Sequence, residues 1–492
     1  MKKIHNQFAH YITFIIVAAY YLLITQSTFD IFDKNISAEK ILFNGQFIKL
    51  FNSSILEAGR FVPFSNIFNI FLFKLTDNFL YFVILSTLKI ILNLYILKKI
   101  FDYLKISKYF IISVIIICYN HAFLNGQYIT TSEGDVSLLL TILFYIDLKT
   151  SNRKTKIYEF FLTFFLMIFL LGLKESMFAF FVIYVFLKIF FFKNENLFAK
   201  IIYLIILILY IYIYYKFVYI NINPENIYGS RISEASKLFS IFKTILNFIV
   251  SFPLIFFFTL FILDSIIKNF FFIKNKILSI NDIYFFSGFG YLLTFIVIDL
   301  FAFRYVLPLI FIVVPLFFVI YDKLSKKKII NICFFLIFIS SSAYSNTIEL
   351  INNFENKKYN NQFYNKLNNM ELTKKNVALI FNRESKEYLL KNQKHDRSEV
   401  GNILHLLNDK NSFYTSLFLI SHNNVNALFL KEEVIISLIR SDLVLNKKIE
   451  DMIGHEKYNI TTFERVIYEP IFIKQLLIGS AKIDKTIIYI KK

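Results

Sequence analysis

The chain contains no tryptophan and only 2 cysteines, 11 glycines and 6 prolines in its 492 residues. Cys118 and Cys333 both lie inside apolar runs, which excludes a domain held together by a framework of disulfide bonds. Spans interrupted by Gly or Pro at matching positions of two halves are typical of secondary transporters built from inverted repeats. No such pair of interrupted spans is visible in this sequence, which argues against that class of transporter.

Apolar residues dominate what is present. Hydrophobic residues make up 57% of the chain, aromatic residues make up 19%, and the mean hydropathy is +0.56. Many of the apolar runs are long enough to cross a hydrocarbon core about 30 Å thick. They predict an α-helical polytopic membrane protein with about 11 transmembrane helices, at roughly 9–26, 78–97, 109–124, 136–147, 157–173, 176–192, 201–218, 241–263, 283–300, 304–321 and 329–345. The first run follows two lysines, as in a signal peptide, but no small-residue cleavage site follows it, so we expect it to be retained.

The charges of the loops predict the orientation of these helices. Lys and Arg outnumber Asp and Glu in the loops on the side of the N-terminus, whereas the two signs are nearly balanced on the other side. By the positive-inside rule, the N-terminus is then cytoplasmic, and an odd number of spans places residues 346–492 outside the cytoplasm. The net charge of +19 is therefore mostly a topology signal, and we expect no nucleic-acid partner. The predicted location is the cell (inner) membrane.

The composition changes after Ser345, which predicts two domains, a transmembrane domain over 1–345 and an extracytoplasmic domain over 346–492. Within the second, strand-like runs occur at Asn376–Phe381, Ser412–Ile420 and Lys485–Ile490, and helix-like stretches at Glu384–Leu390 and Lys431–Ile449. This pattern indicates a small α/β domain. No phosphate loop, zinc-ligand spacing or nucleophile elbow is visible in it.

The candidate functional residues are the charges at the exterior ends of the predicted spans, because an ionisable group at membrane depth is costly and usually faces a partner or a cavity. The long first exterior loop, 27–76, carries five of them: Asp30, Asp33, Glu39, Glu57 and Arg60. Short motifs at later spans carry the rest: Glu133 and Asp135 in TSEGD, Lys174 and Glu175 in LKES, and Arg304 and Tyr305 in RYVLP.

Each of these groups also has a purely structural explanation. Carboxylates at the start of a span favour the helix dipole, and Glu133 or Asp135 could do no more than that. Lys174 and Glu175 could form a local ion pair that closes a tight turn, and Arg304 could be an anchor at the membrane interface. Their joint placement on one predicted face is the argument for a site.

Such a face suits one type of chemistry in particular. A carboxylate in a semi-enclosed loop can act as general base toward a hydroxyl group. Arg and Lys at the lipid boundary can bind a phosphate or pyrophosphate, and Arg can do so in bidentate fashion. The apolar spans behind them would receive a long isoprenoid or acyl tail. The pattern therefore favours transfer of a group from a lipid-linked phosphate.

The order of these features resembles that of the membrane glycosyltransferases of the GT-C fold, in particular the protein mannosyltransferase and lipid A aminoarabinose transferase type. The resemblance covers about residues 1–325. It implies a polyprenyl-phosphate-linked sugar as donor and a catalytic acid in the first exterior loop, which would be Asp30, Asp33 or Glu39. TSEGD, LKES and RYVLP resemble the acid, the Lys-Glu turn and the Arg-Tyr segment of that group. The first loop lacks the adjacent acid pair common in the family, and the tryptophan-rich signature of oligosaccharyltransferases is absent.

We therefore expect a glycosyltransferase that moves a sugar from a polyprenyl phosphate to an extracytoplasmic acceptor, which could be a glycan, a lipid or a protein. Glu57, Arg60, Glu133, Asp135, Lys174, Glu175, Arg304 and Tyr305 would form the substrate-binding site. The pattern requires no cofactor and contains no evident metal site, although its carboxylates could also bind a divalent cation. Two alternatives remain open, a translocator of polysaccharide or lipid-linked oligosaccharide and a non-catalytic membrane assembly protein. The ionisable residues within the spans favour the enzyme over the translocator, because apart from Lys89 and Lys188 they lie at the exterior ends.

Overall fold

The structure is a computed structural model that describes part of the chain. The described ranges are 11–22, 67–76, 79–118, 132–151, 155–192, 197–217, 278–297, 303–324, 375–381, 414–421, 434–437, 457–469 and 481–492, with separate positions between them that include residue 64 and parts of 344–370. Two compact units can be distinguished, one made of the helices that precede residue 346 and one made of most of the chain after it.

The secondary structure of the first unit, in the residues that the structure describes, is helical. Its helices are α1 (Tyr11–Leu22), α2 (Ile67–Leu75), α3 (Phe79–Tyr103), α4 (Phe110–Cys118), α5 (Glu133–Thr150), α6 (Ile157–Leu173), α7 (Met177–Phe191), α8 (Leu197–Phe217), α9 (Ile280–Val297) and α10 (Leu307–Leu324). Short 3-10 helices, Ser107–Tyr109 and Phe303–Val306, precede α4 and α10. Their apolar side chains form one continuous core.

Among the described residues, three helices are long and apolar enough to cross a membrane: Leu80–Tyr103, Leu197–Lys216 and Arg304–Asp322. Shorter apolar helices accompany them, and the predicted spans 241–263 and 329–345 lie outside the described residues. The three long helices differ in burial. The apolar segment of α10 is 78% buried, whereas that of α8 is 28% buried and presents a row of large apolar side chains outward. Such a surface suits contact with lipid tails.

Helix α5 lies at the centre of this unit, in contact with α3, α6, α9 and α10. It is unusual in composition as well, since it buries three carboxylates, Glu133, Asp135 and Asp147, among its apolar residues. A buried charge is tolerated only when it is paired and hydrogen-bonded. The neighbouring elements supply those partners, Lys174, Lys89 and Lys188.

The second unit contains a five-stranded sheet. Its strands are β1 (Lys375–Phe381), β2 (Tyr414–Ser421), β3 (Val434–Ser437), β4 (Tyr458–Ile467) and β5 (Lys482–Lys491), in the order β2-β1-β3-β5-β4. Strand β1 pairs in parallel with β2 and β3, and β5 pairs antiparallel with β3 and β4. Helical residues of 347–370 pack on it, with the Phe363 ring 5.4 Å from that of Phe463.

A helical protein with a small sheet near its C-terminal end is thus confirmed at this coarse level. One element of the second unit was predicted wrongly. The stretch Lys431–Ile449 was expected to be helical, but its residues Val434–Ser437 form β3. All four are buried, and β3 is paired on both sides. Its Val-Ile-Ile sequence fits a central strand because β-branched side chains pack well on a pleated surface.

Candidate functional site

The first turn of α5 carries two buried acids, Glu133 and Asp135, which are 3% and 4% exposed. Residues two positions apart in an α-helix are separated by roughly 200° around its axis, so the two side chains leave α5 on opposite sides. The Ser132 side chain makes no capping hydrogen bond at this helix start. The two carboxylates instead pair with cations from other parts of the chain, which goes beyond the simple dipole effect considered for them.

Glu133 receives two cations from separate parts of the chain. The Lys174 ammonium, in the turn after α6, donates a hydrogen bond to Glu133 Oε1 and forms a buried ion pair with it. Arg304, in the 3-10 helix before α10, places its Nε 3.6 Å from the same oxygen. One carboxylate therefore holds together the start of α5, the end of α6 and the start of α10.

Two stacked aromatic rings, those of Tyr305 and Phe295, lie beside these cations. The Lys174 ammonium lies 4.1 Å from the centre of the Tyr305 ring, and the Arg304 guanidinium carbon lies 5.2 Å from it. Phe295, near the end of α9, stacks on Tyr305 with 4.6 Å between the ring centres. Cations over aromatic faces are stabilised by the ring quadrupole without being neutralised. Lys174 and Arg304 are thus held close together although both are positive.

Arg304 and Lys174 differ in accessibility. The side chain of Arg304 is 43% exposed, whereas that of Lys174 is 7% exposed. A guanidinium with an accessible edge can form two parallel hydrogen bonds to a phosphate or carboxylate. The arrangement can therefore bind an anion at Arg304, and the buried ammonium group of Lys174 adds positive charge nearby.

Asp135, on the other side of α5, pairs with Lys89 of α3, with 2.6 Å between Oδ1 and Nζ. Lys89 also lies over the Phe68 ring at the start of α2, 5.0 Å from its centre. In the described residues around the first turn of α5, the cations Lys89, Lys174 and Arg304 thus pair with two buried carboxylates. Arg304 is the most exposed of the three cations, so it is the group that an anionic ligand could reach.

The structure brings together four of the residues that the sequence singled out, namely Glu133, Lys174, Arg304 and Tyr305, and it places Asp135 on the opposite side of the same helix turn. Glu175 follows Lys174 in the turn between α6 and α7. The other candidates lie outside the described residues: Asp30, Asp33, Glu39, Glu57 and Arg60. Within the part of the chain that the structure describes, no three His, Cys, Asp or Glu side chains gather as a metal site would require.

A second buried cluster, which sequence reasoning missed, lies at the other end of α5. Asp147 accepts hydrogen bonds from Lys188 Nζ at 2.7 Å, Tyr184 Oη at 2.5 Å and Tyr284 Oη at 2.8 Å. Lys188 and both tyrosines are at most 1% exposed. The signal in the sequence was an acid at the end of one apolar span and a lysine inside another, but the two are 41 positions apart.

The two clusters are separated along α5. Glu133 and Asp147 are 14 residues apart, which corresponds to about 21 Å along a helix and to nearly the same face. Each cluster joins α5 to two other elements through one carboxylate. Buried charge is therefore present near both ends of the central helix.

Comparisons of the chain with protein-family models, with curated proteins and with solved structures found no match. The argument for function therefore depends on the geometry of the cluster around the first turn of α5.

Proposed function

We propose that this protein is a membrane glycosyltransferase of GT-C type, which transfers a sugar from a polyprenyl-phosphate-linked donor to an acceptor outside the cytoplasm. The observation that carries the proposal is the pair of cations Lys174 and Arg304 held against one aromatic ring and one buried carboxylate. A phosphate group linked to a long apolar chain would match both this cation pair and the apolar helices beside it.

In this proposal the protein has about 11 spans, an N-terminus in the cytoplasm and an exterior second domain, as the loop charges predict. The start of α5, the end of α6 and the start of α10 then lie at the exterior leaflet. Contacts among Glu133, Lys174 and Arg304 support this arrangement, because helices that alternate in direction bring such ends to one side.

The proposed reaction requires a base and a stabilised leaving group. An acid of the first loop, Asp30, Asp33 or Glu39, would accept the proton of the acceptor hydroxyl as its oxygen attacks the anomeric carbon. The new bond forms as the bond between that carbon and the phosphate oxygen breaks, and the electron pair leaves with the polyprenyl phosphate. Arg304 and Lys174 would stabilise the negative charge that develops there.

The test is a transfer assay in membrane vesicles with a panel of radiolabelled polyprenyl-phosphate sugars and membrane extract as the source of acceptor. We expect one donor to transfer its label, and Arg304→Ala to lower the rate at least tenfold at limiting donor because a charge-assisted contact is lost. Arg153→Ala is the matched control, since Arg153, which precedes α6, pairs with Glu159 in the first turn of α6, away from the cluster. No transfer by the wild type from any donor in the panel would contradict the proposal.

A translocator of lipid-linked oligosaccharide is the second candidate, and the Asp147–Lys188 pair favours it. A translocation path would need charge near both ends of the helices, and α5 carries buried charge near both. Reconstituted vesicles can separate the two functions. A translocator moves a fluorescent lipid-linked oligosaccharide between leaflets without changing it, whereas the enzyme cleaves the sugar from its phosphate.

A non-catalytic assembly protein would tolerate the loss of the first-loop acids. Changing Asp30, Asp33 and Glu39 one at a time to Asn or Gln tests this. The enzyme loses transfer with at least one of these variants at normal expression, whereas an assembly protein retains its phenotype with all three.

A further inference from the structure

Residue 64, shortly before α2, contacts the end of α6 closely. The Phe64 N–H donates a hydrogen bond of 2.9 Å to the carbonyl oxygen of Gly172, and its ring lies 4.8 Å from that of Phe169. A Cβ atom added to Gly172 would overlap the Phe64 ring. A side chain at position 172, two positions before Lys174, would therefore have to displace the Phe64 ring.

The same turn of chain reaches the opposite side of α5. The carbonyl oxygen of Phe64 accepts a hydrogen bond of 3.1 Å from the N–H of Ile67, the first residue of α2. Phe68 follows, and its ring covers the Lys89 ammonium that pairs with Asp135. Four residues of chain thus connect the end of α6 with the ion pair between α3 and α5.

From this geometry we infer that Phe64 and Gly172 are positioning residues of the candidate site. Their contact fixes the start of α2, so that Phe68 stays over Lys89 and the Lys89–Asp135 and Lys174–Glu133 pairs flank α5 at a constant separation. The inference rests on the proposed function where it concerns transfer of the sugar. Neither residue carries a charge, and neither was among the candidates from the sequence.

Gly172→Ala is the direct perturbation. The added methyl group forces the Phe64 ring away from α6, and the start of α2 moves with it. Phe68 then shifts relative to Lys89. Misplacement by about 1 Å can cost about 100-fold in rate, so we expect Gly172→Ala to lower transfer at least tenfold with all charged groups intact.

The position of the side chain at residue 68 can be monitored by tryptophan fluorescence without any substrate, because the natural chain contains no tryptophan. Phe68→Trp introduces a single tryptophan at the ring that covers Lys89, which can be excited selectively over the tyrosines, and an indole is the best aromatic partner for a cation. In this background we expect Gly172→Ala to shift the emission maximum and to increase quenching by acrylamide. Adding Phe64→Leu removes the colliding ring but keeps the backbone hydrogen bond from residue 64 to Gly172, so it should restore both readings toward those of Phe68→Trp alone.

Gly290→Ala is the matched control. A Cβ atom there would overlap Ile183 and lie 3.0 Å from the carbonyl oxygen of Ala179, so this variant strains the contact between α7 and α9 to a similar degree. Phe64→Leu should rescue Gly172→Ala in both fluorescence and transfer, and it should not rescue Gly290→Ala. Rescue of both, or of neither, would show that position 172 affects general packing and would overturn the inference.

Unchanged emission and unchanged transfer in Gly172→Ala would also overturn it. If fluorescence responds and is rescued as expected while no variant, wild type included, transfers sugar, the positioning role stands and the proposed glycosyltransferase function fails. The two failures are therefore distinguishable.

Discussion

Lys174 and Glu133 form a buried ion pair that joins the end of α6 to the start of α5. Removing one partner of such a pair leaves an uncompensated charge and typically costs about 3–5 kcal/mol, whereas replacing both with neutral groups is often tolerated. The pair therefore offers a way to separate stability from activity.

We expect Lys174→Met alone to lower the unfolding temperature in detergent. Because Arg304 still lies 3.6 Å from the Glu133 carboxylate, the loss of stability should stay below the ~3–5 kcal/mol of a fully uncompensated buried charge. The double variant Glu133→Gln/Lys174→Met should recover most of that stability but not the transfer activity, because the cation is still missing. Thermal unfolding and transfer from the labelled donor are the two measurements. A double variant as unstable as the single one would contradict the expectation.

Arg304→Lys keeps the charge beside Glu133 but loses the planar fork of the guanidinium. If Arg304 binds a phosphate in bidentate fashion, KM for the donor should rise by roughly tenfold with a smaller change in kcat. Arg153→Lys serves as the control, because it makes the same exchange in the Arg153–Glu159 pair. Equal effects of the two variants would count against a special role for Arg304.

Tyr305→Phe and Tyr305→Leu distinguish the ring from its hydroxyl group. The Arg304 Nη2 lies 3.4 Å from Tyr305 Oη, a long hydrogen bond, whereas the Lys174 ammonium lies 4.1 Å from the ring centre. Tyr305→Phe should therefore bind the donor almost normally. Tyr305→Leu should weaken binding by roughly 2- to 30-fold, which corresponds to ~0.5–2 kcal/mol. Titration of vesicles with labelled donor measures both, and equal losses would contradict the expectation.

Asp147→Asn tests the second cluster. It leaves the Lys188 charge buried without its counter-ion, so we expect a loss of roughly 3–5 kcal/mol in stability, and recovery in Asp147→Asn/Lys188→Met. Tyr284→Phe removes one hydrogen bond to the same carboxylate and should cost about 1–3 kcal/mol. Thermal unfolding in detergent measures the loss of stability in each of the three variants. Normal stability with loss of oligosaccharide movement would favour the translocator.

The sequence predicts the helical character of the first unit well, because apolar runs of this length are typical of little else. It also singles out Glu133, Lys174 and Arg304, since charges at the ends of apolar runs stand out. It does not show which cation pairs with which acid. That depends on helix packing, which brings residues 41 positions apart into contact in the Lys174–Glu133 pair.

Other features leave little trace in one sequence. The tyrosines around Asp147 resemble the many other aromatic residues of the apolar helices, and Gly172 is unremarkable until the position of the Phe64 ring is known. The error at β3 has a related cause. A short apolar run fits a buried helix and a central strand equally well, and only its pairing with β1 and β5 decides between them.

The order of strands in the second unit has a consequence for biosynthesis. Strand β5, residues Lys482–Lys491, lies between β3 and β4, and it is the element through which β4 joins the sheet. The earlier strands therefore cannot complete their hydrogen bonding while the ribosome is still making that segment. Until then β3 and β4 each keep an open edge that can pair with another chain. The sheet order therefore implies that these strand edges must be kept from pairing with other chains until β5 has been synthesised.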